Sequence, residues 1–310
     1  MKPLRLGIIS IGSNSVKMMT ANIDETLSDP QRAREETALF LSMNDKRSFS
    51  EEGMERCARA VSKLHHMAKQ AGAQEVRLIA TSAMRDALNR NELDFYIAAM
   101  APMTLSRIIS GDEEAQLSFL GAACASHQEG LQGMIDIGGG STELAIGDRA
   151  TGLSFTKSLQ LGTSRLLQWQ PINNREDMRS ALNISSELIG KELTLPAQLP
   201  KEWTLVGGTG TTLINMMLMQ PYHQPCPEGK DISRDEAGEW LERLALLSPQ
   251  ERAALPGMPS SRVHILPTGL TILKSLMDYL NINRIRVTRR NNLDGYLYRL
   301  YHCPQEDHDA

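Results

Sequence analysis

The chain has 310 residues, of which 41% are hydrophobic and 23% are charged, and its formal net charge is −4. This composition is typical of a soluble globular protein, and the length allows two domains of ordinary size. The acidic balance argues against broad, sequence-independent nucleic-acid binding, which needs a basic surface. It leaves room for an anionic substrate, because a local cluster of arginines and backbone amides can outweigh the overall charge.

Cysteine spacing and hydropathy narrow the class of protein further. The four cysteines are far apart and form no C-x-x-C pair, which argues against both a zinc site and a disulfide framework. The N-terminal apolar run is short and has no cleavage-site pattern, and no stretch of about 18 apolar residues occurs. We therefore expect a reduced, cytoplasmic protein that does not interact with a membrane.

In chain order, the first half predicts three strands, at residues 4–11, 16–23 and 35–42, with turn signals between them. A helix is predicted over 51–71, because its apolar positions recur at helical spacing and a glycine follows. A strand in "EVRLIATSA", a helix in "DALNRNELDFYIAAM", a strand in "TLSRIIS" and a helix in "DEEAQLSFLGAACA" complete the order βββαβαβα.

The second half begins the same order again after a polar connector. The segment "IISIGSNSVKMMTA" aligns with "MIDIGGGSTELAIG" as strand, turn and strand. The alignment pairs Gly12 with Gly138, Ser15 with Ser141, and Ser10 with Asp136. We expect two similar domains, residues 1–125 and 126–310, with facing glycine turns and a cleft between them. The rest of the second half is predicted to be mostly helical, with strands at "WTLVGG" and "RIRVT".

The segment from Asp136 to Glu143, "DIGGGSTE", is the strongest candidate for a functional site. Three consecutive glycines remove every Cβ from the turn, so a phosphate can approach the backbone closely. The two carboxylates could hold Mg²⁺ through oxygen ligands and water. The alternative is a hairpin with a flexible glycine tip; the two flanking acids favour the phosphate interpretation.

Three weaker segments could belong to the same site. Glu114 lies in "SGDEEA" and could act as a general base, although acids in a first helical turn are ordinary. Arg85 lies in a loop and has a guanidinium suited to phosphate, although an isolated arginine is more often a surface residue. "VGGTGTT", residues 206–212, could bind an anion at a helix N-terminus or be only a tight turn.

The most basic short segment, "RIRVTRR", could line a channel for a polyanion. Solvated charges at a strand end are the favoured interpretation of such a run.

Six motifs in order, "IGSNSVKMM", "TSAMRDALN", "IISGDEEAQLSFLGA", "IDIGGGSTELAIG", "LQLGTSRL" and "VGGTGTT", together resemble the exopolyphosphatase and guanosine pentaphosphate phosphatase family. The resemblance spans nearly the whole chain and is closest to the short, two-domain members. It places the chain in the superfamily of actin, sugar kinases and heat-shock ATPases. It implies an α/β fold of two ribonuclease-H-like domains, each a mixed five-stranded sheet with flanking helices, and an active site in the cleft between them.

The resemblance also implies roles for matching residues. Glu114 matches the general base, Arg85 a phosphate-binding arginine, and Asp136 and Glu143 the acids at the metal and the catalytic centre. The positions that match phosphate-binding loops are Gly12, Ser13, Asn14, Ser15, Gly138, Gly139, Gly140, Ser141, Gly207, Gly208 and Thr209. The implied cofactor is Mg²⁺, with Mn²⁺ as the alternative. The implied partners are polyphosphate or guanosine penta- or tetraphosphate, and a second copy in a homodimer.

The chain departs from the family pattern at three places. Ser10 stands where an Asp usually precedes the first loop, "TRRNNLDGYLY" replaces a Ser-x-x-Gly-Leu-Arg-Glu-Gly pattern, and His264 stands where an Asp is common. The first hypothesis is therefore a phosphoanhydride hydrolase, with the retained acids in its favour. The second is a catalytically weakened protein that binds polyphosphate or an alarmone. A kinase is a third, by superfamily analogy alone.

Overall fold

The computed structural model describes residues 4–23, 27–103, 105–123 and 129–302, with residues 301 and 302 described by their backbone alone. The chain folds into two compact units. The first comprises Met1–Cys124 and Asn292–Ala310, and the second comprises Ala125–Asn291. The domain boundary expected at residues 125 and 126 lies outside the described residues.

The described residues form strands and helices that alternate along most of the chain. The strands are β1 (Leu4–Ile11), β2 (Ser15–Ile23), β3 (Leu27–Glu36), β4 (Glu75–Ala80), β5 (Arg107–Ile108), β6 (Gln132–Ile137), β7 (Thr142–Asp148), β8 (Gly152–Leu159), β9 (Glu202–Val206), β10 (Lys230–Ser233) and β11 (Arg284–Val287). The helices are α1 (Glu51–Gln70), α2 (Ser82–Asp86), α3 (Arg90–Met100), α4 (Gly111–Ala123), α5 (Thr163–Trp169), α6 (Arg175–Glu192), α7 (Gly208–Met217), α8 (Arg234–Leu246), α9 (Pro249–Ala253), α10 (Ile265–Tyr279) and α11 (Asn292–His302).

The sheet of the first unit has the strand order β3-β2-β1-β4-β5. The first three strands form an antiparallel meander, whereas β4 runs parallel to β1 and β5 runs parallel to β4. Both faces of β1 are buried: Ile9 packs in the cluster that contains Leu64 of α1, and Ile8 packs with Leu117 of α4 and Tyr296 of α11. A strand covered on both faces reads as a continuous apolar run, as this one does.

The helix α1 shows how local sequence sets an element's limits. The hydroxyl of Ser50 caps its first turn by accepting a hydrogen bond from the backbone N–H of Gly53 at 3.2 Å. Beyond its last turn, Gly72 adopts a φ of +87°, which the absence of a Cβ allows. Its buried face recurs at helical spacing and includes Met54, Cys57, Ala58, Val61, Leu64 and Ala68. The helix predicted over 51–71 is confirmed.

The C-terminal helix α11 belongs to the first unit, whereas the sequence-based boundary placed residues 126–310 in the second domain. A Cβ at Gly295 would lie 1.9 Å from the carbonyl oxygen of Leu117, so α11 crosses α4 at close backbone distance. The fully buried carboxylate of Asp294 accepts a hydrogen bond from Nη1 of Arg32 at 3.0 Å. These contacts hold α11 on the sheet of the first unit.

The sheet of the second unit has six strands in the order β10-β11-β9-β6-β7-β8. The strands β6, β7 and β8 form an antiparallel meander, and β9 runs parallel to β6, which repeats the arrangement of β1, β2, β3 and β4. Five strands were expected in this domain; the sixth is β10, which pairs with β11 at the edge of the sheet. The apolar core lies against α10, of which twelve of fifteen residues are buried.

The third strand of the first unit differs from the sequence prediction. We expected it at residues 35–42, but β3 spans Leu27–Glu36 and a single 3-10 turn follows at Phe40–Ser42. The sequence of β3, "LSDPQRAREE", is charged and contains a proline because the strand lies at the edge of the sheet. Edge strands carry such residues to block further pairing, which hides them from a pattern based on apolar alternation.

Candidate active site

The glycine turn between β6 and β7 is closed by one backbone hydrogen bond. The N–H of Gly138 donates to the carbonyl oxygen of Ser141 at 3.0 Å. A Cβ at Gly138 would lie 2.9 Å from that oxygen, so the turn accepts no side chain there. Because the register pairs Ile137 with Thr142, both strands hold the ends of the turn in place.

The carbonyl groups of this turn are bound by the segment that follows β8, residues 162–165. The carbonyl of Gly138 accepts from the N–H of Thr163 at 2.9 Å, and that of Gly139 accepts from the N–H groups of Ser164 and Arg165 at 2.8 and 3.1 Å. Within a trans peptide the C=O and the next N–H point in opposite directions. The N–H groups that follow these carbonyls are therefore directed away from residues 162–165. Successive N–H groups directed to one side form an anion-binding nest.

Two carboxylates lie beside the turn on one face of the sheet. Asp136 and Glu143 are directly opposite each other in the β6–β7 register, which places their side chains together. Glu143 is 1% exposed and its Oε1 accepts a hydrogen bond from the hydroxyl of Ser158 at 2.8 Å. Two buried or half-buried carboxylates side by side favour a cation between or beside them.

The two carboxylates could bind a magnesium ion whose remaining ligands are phosphate oxygens of the substrate and water. Mg²⁺ is commonly bound through one or two carboxylates together with phosphate oxygens and water. Within the described ranges, no group of three or more His, Cys, Asp or Glu side chains could hold a metal ion. Asp136 and Glu143 would be the residues to hold such an ion, and their role as metal ligands stays a prediction.

A second glycine segment of the same unit reaches this pair. Gly207 has a φ of +101°, and a Cβ there would lie 3.1 Å from Oδ1 of Asp136. At Gly208 a Cβ would lie 2.1 Å from Nη2 of Arg262, so the guanidinium packs directly on the glycine at the start of α7. The positive φ favours glycine at position 207, and a side chain at position 208 would displace the Arg262 guanidinium. Thr209 is fully buried, and a Cβ at Gly269 would lie 2.5 Å from its hydroxyl. Its contact with phosphate stays a prediction.

Arg262 is a buried cation beside the second glycine segment that the sequence analysis did not single out. The residue is 6% exposed, which is unusual for an arginine. The motif "RVHILPTG" drew attention to His264, which is exposed, and not to the arginine two residues before it. In the sequence, Arg262 is only an arginine shortly before a long apolar helix. That position does not show whether its side chain is buried or exposed.

The first unit contains the equivalent turn between β1 and β2. The N–H of Gly12 donates to the carbonyl of Ser15 at 3.0 Å. The carbonyl of Ser13 accepts from the N–H of Phe40, and that of Asn14 accepts from the N–H groups of residues 37 and 38, at 2.8 to 2.9 Å. The closing hydrogen bond repeats that of the second turn, whereas the carbonyls bound by the later segment are shifted by one residue along the turn. The register pair beside it is Ser10 with Lys17, where the second turn has two acids.

Arg85 and Glu114 form an ion pair in the first unit. Nη1 of Arg85 lies 2.9 Å from Oε2 of Glu114 and also donates to the carbonyl of Ile109 at 2.9 Å. Ser110 caps α4, so Glu114 is fixed in the first turn of the helix. The two side chains are 18% and 11% exposed. From the sequence alone, Arg85 and Glu114 are separate candidates; the fold brings them together as an ion pair.

In each unit, the candidate residues lie at the carboxyl ends of the parallel strands. In the first, the N–H of Thr81 donates to Ile11 and the N–H of Ile109 donates to Ala80, both at 3.0 Å, so the carboxyl ends of β1, β4 and β5 meet. In the second, the parallel pairing of β6 with β9 brings residues 138–141 and 207–208 to one edge. Ligands of open α/β sheets bind at the carboxyl ends of parallel strands.

Other features lie outside these two sets. A groove of about 730 Å³ is lined by residues at the start of β4, including Glu75 and Arg77, and so lies at the far end of that strand. Burial raises the pKa of Cys57 to about 12 and that of Cys226 to about 11, so neither thiol is a nucleophile at neutral pH. Cys124 and Cys303 lie outside the described residues.

The basic segment "RIRVTRR" is paired with acids, which supports the surface interpretation. Arg286 lies 3.2 Å from Asp231, and Arg289 lies 3.3 Å from Glu228. Across the described part of the chain, no helix has the length and apolar character needed to cross a membrane.

Comparison with known sequences places these features in a family context. The sequence model of the Ppx/GppA phosphatase family matches residues 21–303. Exopolyphosphatase 2 of Mycobacterium tuberculosis is 27% identical over 308 residues, which cover 94% of this chain and 97% of that protein. The guanosine-5'-triphosphate,3'-diphosphate pyrophosphatase of Vibrio vulnificus is 27% identical over 304 residues, which cover 94% of this chain and 58% of that protein.

Solved structures share the fold. An exopolyphosphatase from Cytophaga hutchinsonii matches with a TM-score of 0.85 at 21% identity, covering 96% of this chain and 97% of that one. The PPX-GPPA enzyme of Aquifex aeolicus matches with a TM-score of 0.78 at 21% identity, covering 95% and 98%. The expected α/β class, two mixed sheets with flanking helices, is thereby confirmed.

Proposed function

The chain belongs to the Ppx/GppA phosphatase family, and from that premise we propose that it hydrolyses phosphoanhydrides, releasing terminal phosphate from inorganic polyphosphate. The alarmone pppGpp is the second candidate substrate. The observation that carries the proposal is the duplicated glycine turn, in which bound carbonyl groups direct successive N–H groups to one side. Such donors suit the closely spaced, charged oxygens of a phosphate chain.

The phosphate oxygens are bound by backbone amides and by the buried guanidinium of Arg262. The N–H groups of residues 139–141 supply directed donors, and Arg262 supplies a guanidinium that packs on Gly208. Because both are already in place before a ligand arrives, little conformational entropy is lost on binding. A planar guanidinium also matches phosphate geometry in a way that lysine does not.

Water is activated by Glu114. Its carboxylate accepts a hydrogen bond from Arg85, and the cap by Ser110 fixes the helical turn that carries it, so it is held near one position. A positioned general base contributes about 10²–10⁴-fold to a rate. A metal ion held by Asp136 and Glu143 would neutralise charge on the reacting phosphate.

A protein that binds polyphosphate or an alarmone with little turnover is the second candidate function. The observation in its favour is the register pair Ser10 and Lys17, which offers no carboxylate where the second turn offers two. Fewer carboxylates lower the affinity for Mg²⁺. The retained Glu114, Asp136 and Glu143 favour the enzyme.

Phosphate release separates the two candidates. The pure protein is incubated with long-chain polyphosphate, pppGpp or ATP, each with Mg²⁺ or Mn²⁺, beside a Glu114→Gln variant. For the enzyme, we expect release that falls about 100-fold or more in the variant, while binding of the substrate persists. Tight binding with release no greater than that of Glu114→Gln would sink the enzyme proposal and support the binding protein.

A further inference from the structure

We infer that Arg165 is a positioning residue for the glycine turn between β6 and β7, an inference that rests on the proposed function. Its Nε donates to the carbonyl oxygen of Gly140 at 2.6 Å, while its backbone N–H donates to the carbonyl of Gly139 at 3.1 Å. One residue thus binds two successive peptides of the turn. The side-chain hydrogen bond is short and charge-assisted, which makes it stronger than a neutral one.

The side chain extends a series that the backbone begins. The N–H of Thr163 binds the carbonyl of Gly138, and that of Ser164 binds the carbonyl of Gly139. The third glycine carbonyl is bound by the guanidinium of Arg165. Because the peptide between Gly140 and Ser141 is planar, fixing its oxygen fixes the direction of the Ser141 N–H.

Two neighbours hold the guanidinium at that position. Oε1 of Gln160 accepts a hydrogen bond from Nη2 of Arg165 at 3.2 Å, and the ring of Trp169 lies 6.0 Å from its Cζ. Arg165 and Trp169 are four residues apart on α5, so they share one face of the helix. The arginine is therefore fixed by contacts outside the turn that it positions.

A glycine turn needs such a contact more than other turns do. Without a Cβ, glycine samples positive and negative φ almost equally, so its peptides rotate easily. Loss of the Arg165 side chain would allow the Gly140 carbonyl to turn toward the bound phosphate, where its partial negative charge repels the ligand. The N–H of Ser141 would then be lost as a donor to the phosphate.

The test compares Arg165→Met and Arg165→Lys with a matched control. Arg243 stacks on Trp240 at 4.6 Å in the same unit, on a helix remote in sequence from the turn, so Arg243→Met removes an equivalent stacked arginine. Phosphate release from polyphosphate gives kcat and KM for each folded variant. We expect KM to rise about 10-fold in Arg165→Met, to recover to within about threefold in Arg165→Lys, and to stay unchanged in Arg243→Met.

Amide hydrogen exchange gives a readout that needs no substrate. The N–H groups of Thr163 and Ser164 bind the turn, so their exchange should become faster in Arg165→Met and not in Arg243→Met. An unchanged KM overturns the inference. So does a raised KM that lysine does not restore while exchange stays unchanged, since that result places Arg165 in direct contact with substrate.

The failure of the proposed function is a separate outcome. If the wild-type protein neither binds nor hydrolyses polyphosphate or pppGpp, the proposed function is wrong, and the exchange measurement alone decides the inference. Faster exchange at residues 163 and 164 in Arg165→Met then supports it, and equal exchange overturns it.

Discussion

The two glycine turns have nearly the same backbone and opposite charge. In each, the first glycine donates to the carbonyl three residues later at 3.0 Å, and the following carbonyls are bound by a segment after the third strand of the meander. Beside the second turn the register pair is Asp136 and Glu143, whereas beside the first it is Ser10 and Lys17. The closing hydrogen bond and the strand register are duplicated, because turn length sets both, although the bound carbonyls are shifted by one residue. The side chains have diverged, because register constrains where they point and not what they are.

The difference in side chains predicts different roles for the two turns. Both can offer N–H groups to a phosphate, which is a property of the backbone. Only the second places two carboxylates beside those groups, so among these two register pairs we expect a metal ion to bind only there. The following predictions test this division, starting with the largest expected effect.

Removing one acid from the second turn should have the largest effect. Asp136→Asn keeps the size of the side chain and removes its charge, so we expect phosphate release to fall about 10²–10³-fold. Steady-state phosphate release at saturating Mg²⁺ measures this, with Asp235→Asn on α8 as a control at an exposed acid of the same unit. Activity within about threefold of wild type would show that the division by charge is wrong.

Crowding the segment that binds the second turn should lower stability. A Cβ at Gly162 would lie 2.4 Å from the carbonyl oxygen of Gly139, so Gly162→Ala forces the turn and its support apart. We expect a loss of about 1–3 kcal/mol in the free energy of unfolding, measured by chemical denaturation. Gly190→Ala is the matched control, because nothing lies within 4 Å of its Cβ on α6. The control should be stabilised by roughly 0.5–1 kcal/mol through helix propensity.

Adding an acid to the first turn should have a smaller effect. Ser10→Asp places a carboxylate opposite Lys17, at the position that corresponds to Asp136. If Ser10 occupies the position of a missing metal ligand, the Mg²⁺ concentration for half-maximal phosphate release should fall roughly threefold. Ser10→Asn controls for size. No change relative to Ser10→Asn would mean that Ser10 does not occupy the position of a missing metal ligand.

The smallest effect is expected in the segment that binds the first turn. Thr37 is 1% exposed, and its hydroxyl has no hydrogen-bond partner among the residues that the structure describes, although its backbone N–H donates to the carbonyl of Asn14. Replacing this hydroxyl by a methyl in Thr37→Val should stabilise the protein by up to about 1 kcal/mol. By contrast, the buried hydroxyl of Thr268 donates to the carbonyl of Thr163 at 2.7 Å, so Thr268→Val should destabilise it. Equal changes in the two variants would contradict this assignment.

Local patterns predicted the parts of the site that depend on neighbouring residues. Both glycine turns, the strand pairs around them and the correspondence of Ser10 with Asp136 follow from two aligned segments of the sequence. Patterns were less successful for β3, whose charges suit the edge of a sheet. A strand lies at an edge when no other strand pairs with its outer side, and this depends on the sequence of the other strands.

The sequence by itself determined the α/β class, the internal repeat, the family and the identity of the acids at the second turn. The tertiary structure decided which distant residues meet. It paired Arg85 with Glu114, packed Arg262 against Gly208, attached Arg165 to Gly140 and returned α11 to the first unit. The physical reason is that a turn is closed by hydrogen bonds a few residues apart, whereas a buried cation is placed by helices and loops whose packing depends on the whole chain.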